Sequence, residues 1–299
     1  MVDFIHNNKD RYGVEAICRI LPIAASTYYR ALDLVDNPEH RAKRALHDLH
    51  HAEQIKRIWK ESLGRYGVRK VWQQLKREGY VIARCTVARL MQKLGIQGVW
   101  RGKNKQTTRS RDDQKRADDL VKRNFNADHP DQLWVADFTY IQTHSGWVYT
   151  AFIIDVFSRA IVGWKVSTRM NTDMVLDALE QALHDRGMPK NVIHHSDRGV
   201  QYLSIRYTNR LEAANLRASV GTTGDSYDNA LAETVNGLYK TEVIEYLKAD
   251  WQGLADVQLA TLNWVDWFNK KRVHSALGYV SPFEFEAMYY DKINPLGQV

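Results

Sequence analysis

Two hydrophobic patterns divide the chain near residue 131. Before it, apolar positions recur every three or four residues, as on one face of an amphipathic helix. This spacing predicts helical segments at 12–20, 24–32, 40–63, 66–80 and 83–96. Pro22 separates the first two, and Ser26 is a candidate N-cap of the second. We therefore predict a helix-turn-helix-like segment over 1–34 and a second helical domain over 40–100.

After residue 131 the pattern becomes that of strands joined by turns. Three strand-like runs are followed by alternating helices and strands, which implies an α/β fold with a mixed five-stranded sheet and flanking helices. The predicted strands are 132–142, 146–157, 160–167, 191–197 and 217–220. The predicted helices are 172–187, with Thr172 as candidate N-cap, 203–216 and 228–242. We assign this fold to 131–250 and a helical extension to 251–299.

The last of these helices carries a glycine in its middle, where Gly237 costs about 1 kcal/mol relative to alanine. At about 100° per residue, Glu233, Gly237 and Lys240 share one face. An acid, a gap between side chains and a base then lie in a row, which would suit a bulky anionic ligand. A solvent-facing surface with a tolerated glycine is the alternative interpretation.

The composition indicates a packed globular protein. Apolar residues make up 44% and aromatic residues 11%. No apolar run approaches the ~20 residues that a membrane-spanning helix needs, and residues 1–20 lack the apolar stretch of a signal peptide. Cys18 and Cys85 are too few for a disulfide scaffold or a cysteine-rich zinc module. We expect a soluble, intracellular protein.

Positive charge is concentrated in the first part of the chain. Lys and Arg minus Asp and Glu gives 27 − 15 = +12 for residues 1–130 and 15 − 20 = −5 for residues 131–299. This distribution favours a polyanion as the ligand of the first region. We expect a basic, extended linker over 101–130 that follows phosphates, with a merely solvated linker as the alternative. Its candidate DNA-binding residues are Arg101, Lys103 and Lys105.

Histidines in the second helical segment raise the question of a zinc site. His47, His50 and His51 lie close together in sequence, with His40 nearby. The segment offers no cysteine at the spacing of zinc ligands. We therefore expect these histidines to form the polar face of a helix.

Three carboxylates have contexts that favour a metal site. Asp137 lies inside an apolar strand, Asp197 ends another, and Glu233 lies in the late helix. Burial of a carboxylate is costly unless it is paired or binds a metal. If the three converge, their oxygen ligands suit Mg²⁺ or Mn²⁺. Two such ions about 4 Å apart would activate a water or a 3′-hydroxyl and stabilise the leaving oxygen of a phosphoryl transfer.

The sequence around these acids resembles the catalytic core of DDE transposases and retroviral integrases, which has an RNase H-like fold. The motifs are "WVADFTYI" around Asp137, "HHSDRGVQY" around Asp197 and "DNALAETVNGLYKTE" around Glu233. More closely, the chain is similar to the second-frame product of bacterial two-frame insertion sequences. That similarity includes "WFNKKRVHSALGYVSPFEF" at 267–285 and the two N-terminal helical segments.

This resemblance implies a DNA transposase that cleaves insertion-sequence ends and attacks another phosphodiester with the freed 3′-hydroxyl. Asp137, Asp197 and Glu233 would be catalytic and would bind two Mg²⁺ or Mn²⁺ ions. Lys240 would contact the DNA terminus, and we expect the gap at Gly237 to admit the DNA backbone. An RNase H-like nuclease without strand transfer and a non-catalytic DNA-binding regulator of transposition are the alternatives.

The resemblance also implies partners and a location. The substrates would be the terminal inverted repeats of the element and a target DNA, bound by a homo-oligomer. Family members are often fused to an upstream-frame product that carries another DNA-binding domain. The expected location is the bacterial cytoplasm, at the nucleoid.

Several neighbours of the acids remain open. Arg198 and Tyr202 are candidate substrate contacts or loop residues, and Asn229 would line the site or brace the helix start. No nucleophile-elbow motif accompanies His194 and His195. We expect one of these two rings to point into the sheet and the other to border the site.

Other residues are expected to be structural. Asp155 ends the second strand, and a turn residue is favoured over a fourth metal ligand. Arg272 and His274 could meet DNA, although their segment is otherwise suited to packing. We expect core positions, rather than platforms for base stacking, for Trp134, Trp147 and Trp164.

Overall fold

The computed structural model describes residues 1–100, 121, 125–197, 199, 201–220, 230–247 and 250–294. Over these residues, no helix combines the length and apolar character needed to cross a membrane.

Three short helices form the N-terminal segment. They are α1 (Val2–Tyr12), α2 (Val14–Ile20) and α3 (Ala25–Asp36). The predicted pair corresponds to α2 and α3, whereas α1 was missed because its sequence is mostly polar and buries only Ile5. The N-cap position of α3 is Ala24, so Ser26 lies inside the helix and the predicted cap is wrong. The three helices share a small core of Ile5, Ile17 and Tyr28.

The second helical segment packs against the rest of the protein. It contains α4 (Lys43–Glu61), α5 (Val68–Arg77) and α6 (Arg84–Lys93), after a 3₁₀ turn at Pro38–His40. Ile55, Leu75 and Val87 are buried in the same hydrophobic cluster as Val135 and Phe152 of the central sheet. Apolar side chains at the predicted helical spacing therefore join this segment to the sheet.

The centre of the fold is the mixed five-stranded sheet that the sequence predicts. Its strands are β1 (Leu133–Thr143), β2 (Gly146–Asp155), β3 (Ile161–Ser167), β4 (Ile193–Ser196) and β5 (Arg217–Val220). Their spatial order is β3-β2-β1-β4-β5. The first three strands are antiparallel, whereas β4 runs parallel to both β1 and β5. This topology puts the end of β4 beside the middle of β1.

Helices cover both faces of the sheet. They are α7 (Thr172–Asp185), α8 (Ile205–Ala213), α9 (Ala230–Tyr239) and α10 (Leu254–Lys270), with α11 (Pro282–Ile293) after α10. The face that carries Trp134 and Ala136 packs against α7 and α8. The face that carries Val135 and Phe152 packs against α9 and α10. Side chains alternate between the two faces along β1, so neighbouring residues meet different helices.

The start of α7 differs from the prediction by one residue. Asn171 has an extended backbone, and its side chain accepts a hydrogen bond from the Met174 amide. Asn171 is therefore the N-cap, and Thr172 is the first residue inside the helix.

A π-helical turn, Lys240–Glu245, follows α9, where the sequence predicts a continuing α-helix. Glu242 of this turn is buried and accepts hydrogen bonds from Arg272 Nη2 at 2.7 Å and Trp264 Nε1 at 3.1 Å. Arg65 Nε donates to the backbone carbonyl of Glu242 at 3.0 Å. Burial alone would raise the pKa of Glu242, but the charge and hydrogen bonds of Arg272 hold that pKa below its ordinary value.

Arg272 and His274 therefore do not offer charged groups to DNA. Their exposed fractions are only 5% and 8%. Arg272 is committed to the ion pair with Glu242, and the His274 ring lies edge-on to Phe268, 4.7 Å away between ring centroids. Burial, together with the positive charge of Arg272, lowers the pKa of His274 to about 2, so this ring is neutral.

The buried ion pair yields a stability prediction. Glu242→Gln should lower the free energy of unfolding by about 3 kcal/mol or more, because it leaves Arg272 buried without a counter-charge. Asp177→Asn is the matched control, since Asp177 pairs with Lys165 at 2.8 Å on the surface. The control should change stability by less than about 1 kcal/mol. Denaturant unfolding measures both, and equal losses would contradict the prediction.

Candidate active site

Asp137 lies in the middle of β1 with its side chain on the face covered by α9. Its two oxygens accept hydrogen bonds of 2.8 Å each, Oδ1 from the Phe138 amide and Oδ2 from Asn236 Nδ2. Burial and then the negative charge of Asp197 raise the pKa of Asp137 to about 7, and Glu233 adds to the effect. The two hydrogen bonds favour the ionised form but do not cancel this rise.

Asp197 follows the last residue of β4. The parallel register pairs Ala136 with Ser196, so Asp137 and Asp197 come next on neighbouring strands. The Gly199 amide donates to Asp197 Oδ1 at 2.9 Å, and burial raises the pKa of Asp197. The structure thus brings together two acids that are far apart in sequence, and both resist ionisation.

Glu233 is the third predicted acid and lies in the first turns of α9, with its side chain exposed. Its charge acts on Asp137, which puts it on the same side of the molecule as the two aspartates. In the described part of the chain, no three or more His, Cys, Asp and Glu side chains form a group that could hold a metal ion. Asp137 and Asp197 are therefore neighbours, and the participation of Glu233 stays a prediction.

Asn236 is a site residue that the sequence interpretation missed. It lies on the buried side of α9 with Ala232, Val235 and Tyr239, and its side chain bonds directly to Asp137. Its Oδ1 atom is buried and accepts no hydrogen bond from the described residues. The available signal was an amide among apolar residues at helical spacing, one turn after Glu233.

Lys240 and Gly237 occupy the surface between α9 and the sheet. Lys240 is the first residue of the π turn, and its amine lies 4.7 Å from the centroid of the Tyr140 ring. Gly237 is half-buried rather than fully open. The other predicted DNA contacts lie outside the described residues, as does Asn229: Arg198, Arg101, Lys103 and Lys105.

The two histidines of β4 are both buried, and the expected position of one ring beside the site stays a prediction. His194 Nε2 lies 3.0 Å from the Tyr207 hydroxyl, and burial lowers the pKa of His194 to about 4. His195 Nδ1 lies 2.9 Å from Ser219 Oγ. Alternation along β4 directs one ring to each side of the sheet. Each ring thus has one nitrogen within hydrogen-bond distance of a hydroxyl group.

Tyr202 is buried on the face of the sheet that α7 and α8 cover. Its ring centroid lies 6.3 Å from that of Phe138 and 5.5 Å from that of Tyr207. Burial raises its pKa, and its hydroxyl has no hydrogen-bond partner among the described residues. A contact of Tyr202 with substrate stays a prediction.

Two of the structural predictions are confirmed and one is wrong. Asp155 is fully buried and accepts hydrogen bonds from the Asp131 and Ser158 amides, so it is the predicted turn residue. Trp134 is buried as expected. Trp147 is 49% exposed, so its predicted core position is wrong.

Comparisons with known proteins agree with this geometry. Integrase core domain models match residues 127–226 and 214–282, and an HTH-like domain model matches residues 47–104. The transposase for insertion sequence element IS629 of Shigella sonnei is 52% identical over 293 residues, which are 98% of each chain. A putative transposase for insertion sequence element IS986/IS6110 of Mycobacterium tuberculosis is 50% identical over 275 residues, covering 90% of this chain and 97% of that protein.

Among solved structures, the HTLV-2 integrase catalytic core domain in complex with magnesium (trimeric form) matches with a TM-score of 0.44 and 18% identity. The match covers 54% of this chain and 99% of that chain. The family assignment rests on the sequence relatives, whose similarity extends over nearly the whole chain. This chain belongs to the insertion-sequence transposases that combine an HTH-like domain with an integrase core.

Proposed function

We propose that this transposase cleaves the ends of its insertion sequence and uses the freed 3′-hydroxyl to attack target DNA, with Asp137, Asp197 and Glu233 as the catalytic carboxylates. The observation that carries the proposal is the adjacency of Asp137 and Asp197 across the parallel strands β1 and β4. Each carboxylate is buried enough to resist ionisation. A divalent cation would stabilise both ionised forms, which is what a phosphoryl-transfer site requires.

The chemistry of the donors fits Mg²⁺ or Mn²⁺. Asp137, Asp197 and Glu233 offer only hard oxygen ligands, and we infer that they hold two ions. When bound, such ions activate the attacking hydroxyl and stabilise the leaving oxygen of the phosphodiester. Glu233 would complete the ligand set by approaching the aspartates from α9.

The neighbouring residues would orient the carboxylates and the DNA. Asn236 acts as a positioning residue for Asp137, because its amide fixes one carboxylate oxygen while the Phe138 amide fixes the other. Lys240 would bind a phosphate at the DNA terminus. Gly237 would leave room for the DNA backbone on the helix face between Glu233 and Lys240.

The basic N-terminal region would hold the DNA on which the core acts. We assign DNA binding to 1–34 and 40–100, a basic linker to 101–130, the catalytic core to 131–250 and a C-terminal extension to 251–299. Transposition joins two ends of one element, so we expect a homo-oligomer on the terminal inverted repeats and target DNA. It would act in the bacterial cytoplasm, at the nucleoid, alone or fused to an upstream-frame DNA-binding protein.

Removal of any one acid tests this proposal. Asp137→Asn, Asp197→Asn and Glu233→Gln should each reduce end cleavage and strand joining by roughly a thousandfold, because each deletes a charged oxygen ligand. Labelled element ends, incubated with target DNA with and without Mg²⁺ and resolved on a gel, report both steps. Glu180→Gln is the control, since Glu180 pairs with Arg210 on the surface.

The outcomes of this assay separate the alternatives. A triad variant with wild-type joining would refute the catalytic assignment. Wild-type protein that cleaves the ends but never joins them would favour the hydrolytic nuclease, and protein that only binds them would favour a regulator of transposition.

The raised pKa of Asp137, about 7, predicts that metal binding depends on pH. Below that pH the folded, metal-free protein keeps a proton on Asp137, which a cation must displace. Mg²⁺ affinity should therefore increase from about pH 6 to about pH 8, with release of protons. Titration calorimetry in buffers of different ionisation enthalpy measures both quantities. Asp137→Asn should weaken binding and remove most of the pH dependence, and a pH-independent wild-type affinity would contradict the prediction.

Gly237 provides a test of the DNA path. Gly237→Leu should abolish strand joining without unfolding the protein, because the side chain would fill the face between Glu233 and Lys240. Gly237→Ala is the matched control: it adds one methyl group, should favour the helix by up to about 1 kcal/mol, and should retain more joining. Thermal unfolding establishes that both variants fold. Full joining by the leucine variant would exclude a DNA backbone at this position.

A further inference from the structure

An aromatic pair lies near the turn of the β1–β2 hairpin. Tyr140 is 42% exposed and Trp147 is 49% exposed. The antiparallel register pairs Gln142 with Trp147, so Tyr140 and Trp147 are diagonal neighbours on one face of the sheet. Their ring centroids lie 5.3 Å apart in an edge-to-face arrangement. This contact holds each ring in one orientation and leaves much of both rings open to solvent.

The hairpin that carries the pair is anchored at its tip. The His144 amide donates to the Trp251 carbonyl at 2.9 Å, and the Ser145 amide donates to the Gln252 carbonyl at 3.0 Å. Ser145 Oγ makes a further hydrogen bond of 2.6 Å to the same Gln252 carbonyl. The aromatic pair is therefore a rigid platform, whose ordering costs little additional entropy when a ligand binds.

Lys240 connects this platform to the active site. It leaves the π turn after α9, on the face that carries Asp137, yet its amine lies over the Tyr140 ring on the opposite face. On this side of β1, β4 pairs only as far as Ala136, and in the described chain no strand borders β1 beyond it. A phosphate bound by Lys240 would thus lie between Asp137 and the aromatic platform.

We propose that Tyr140 and Trp147 stack against an unpaired nucleobase at the DNA end, with Lys240 on a neighbouring phosphate; this proposal rests on the proposed function. Exposed aromatic faces beside a cation suit single-stranded nucleic acid, in which every base offers a π face and every nucleotide a negative charge. Asp137 and Tyr140 are three residues apart, about 10 Å along the strand. That distance spans roughly three nucleotides at 3.4 Å each, so the stacked base lies a few nucleotides from the reacting phosphate.

The platform predicts a contact that depends on ring shape. Trp147→Leu should weaken binding of the element end about tenfold, because it keeps an apolar side chain but removes the stacking surface. Trp147→Phe should weaken binding less than about threefold, since it keeps an aromatic face. Tyr290→Leu is the control, because Tyr290 is similarly exposed, at 50%, on α11. Fluorescence anisotropy with labelled duplexes of the element's own terminal repeat, in the presence of a chelator, measures affinity without cleavage.

Abasic substitutions identify the base. A single abasic nucleotide at the stacked position should weaken binding by the wild-type protein about tenfold, and binding by Trp147→Leu less than about twofold. Wild-type affinity in Trp147→Leu, or abasic losses that are equal in both proteins at every position, would refute the platform. Thermal unfolding of each variant separates these results from misfolding.

The two proposals fail in different ways. Wild-type protein that binds ends with the expected base dependence but neither cleaves nor joins them would overturn the proposed chemistry and support the platform. Cleavage and joining by the wild-type protein, together with unchanged end binding by Trp147→Leu, would support the chemistry and overturn the platform.

Discussion

The carboxylate of Asp137 lies at the edge of the hydrophobic core beside a second acid, Asp197. Hydrogen bonds from neighbouring groups partly offset the unfavourable free energy of ionising it there. Desolvation and the charge of Asp197 both oppose its ionisation. A backbone amide and the side chain of Asn236 donate to its two oxygens. The Asn236 side chain can reach Asp137 only if α9 lies against β1 at a fixed rotation about the helix axis. Burial of Val235 and Tyr239 in the core of the sheet holds α9 in that position.

A second buried charge holds the other end of the same helix. Glu242 joins the π turn to Arg272 of the C-terminal region, while its backbone carbonyl accepts from Arg65, in the connection between α4 and α5. The N-terminal helices and the active-site helix therefore meet at one buried anion. A change at that anion would reach both the DNA-binding and the catalytic regions.

Local patterns predicted most of the elements, because strand alternation and helical spacing reflect which face of each element is buried. The three acids were found from their contexts and from the motifs around them. Asn236 was missed because the sequence of a helix does not show which residue an amide side chain contacts. Its role depends on Asp137, which lies on a strand far away in the sequence. A DNA contact of Arg272 stayed possible in the sequence, because its buried partner Glu242 lies 30 residues earlier in the chain. Trp147 was expected in the core from its position in a strand, but the sequence of the strand does not show how much of the side chain the rest of the fold covers.

The difference in length between β1 and β4 determines how the carboxylate pair, Asp137 and Asp197, is arranged relative to the aromatic pair, Tyr140 and Trp147. β1 has 11 residues and β4 has four, so more than half of β1 extends past its parallel neighbour. The end of β4 presents Asp197 to Asp137 on the face covered by α9. Beyond Ala136, β1 pairs with β2 but has no strand on its other side among the described residues. Lys240 reaches past that edge to the Tyr140 ring on the opposite face. A longer β4 would border the same edge, so the short strand accounts both for the carboxylate pair and for the position of Lys240 beside the aromatic surface.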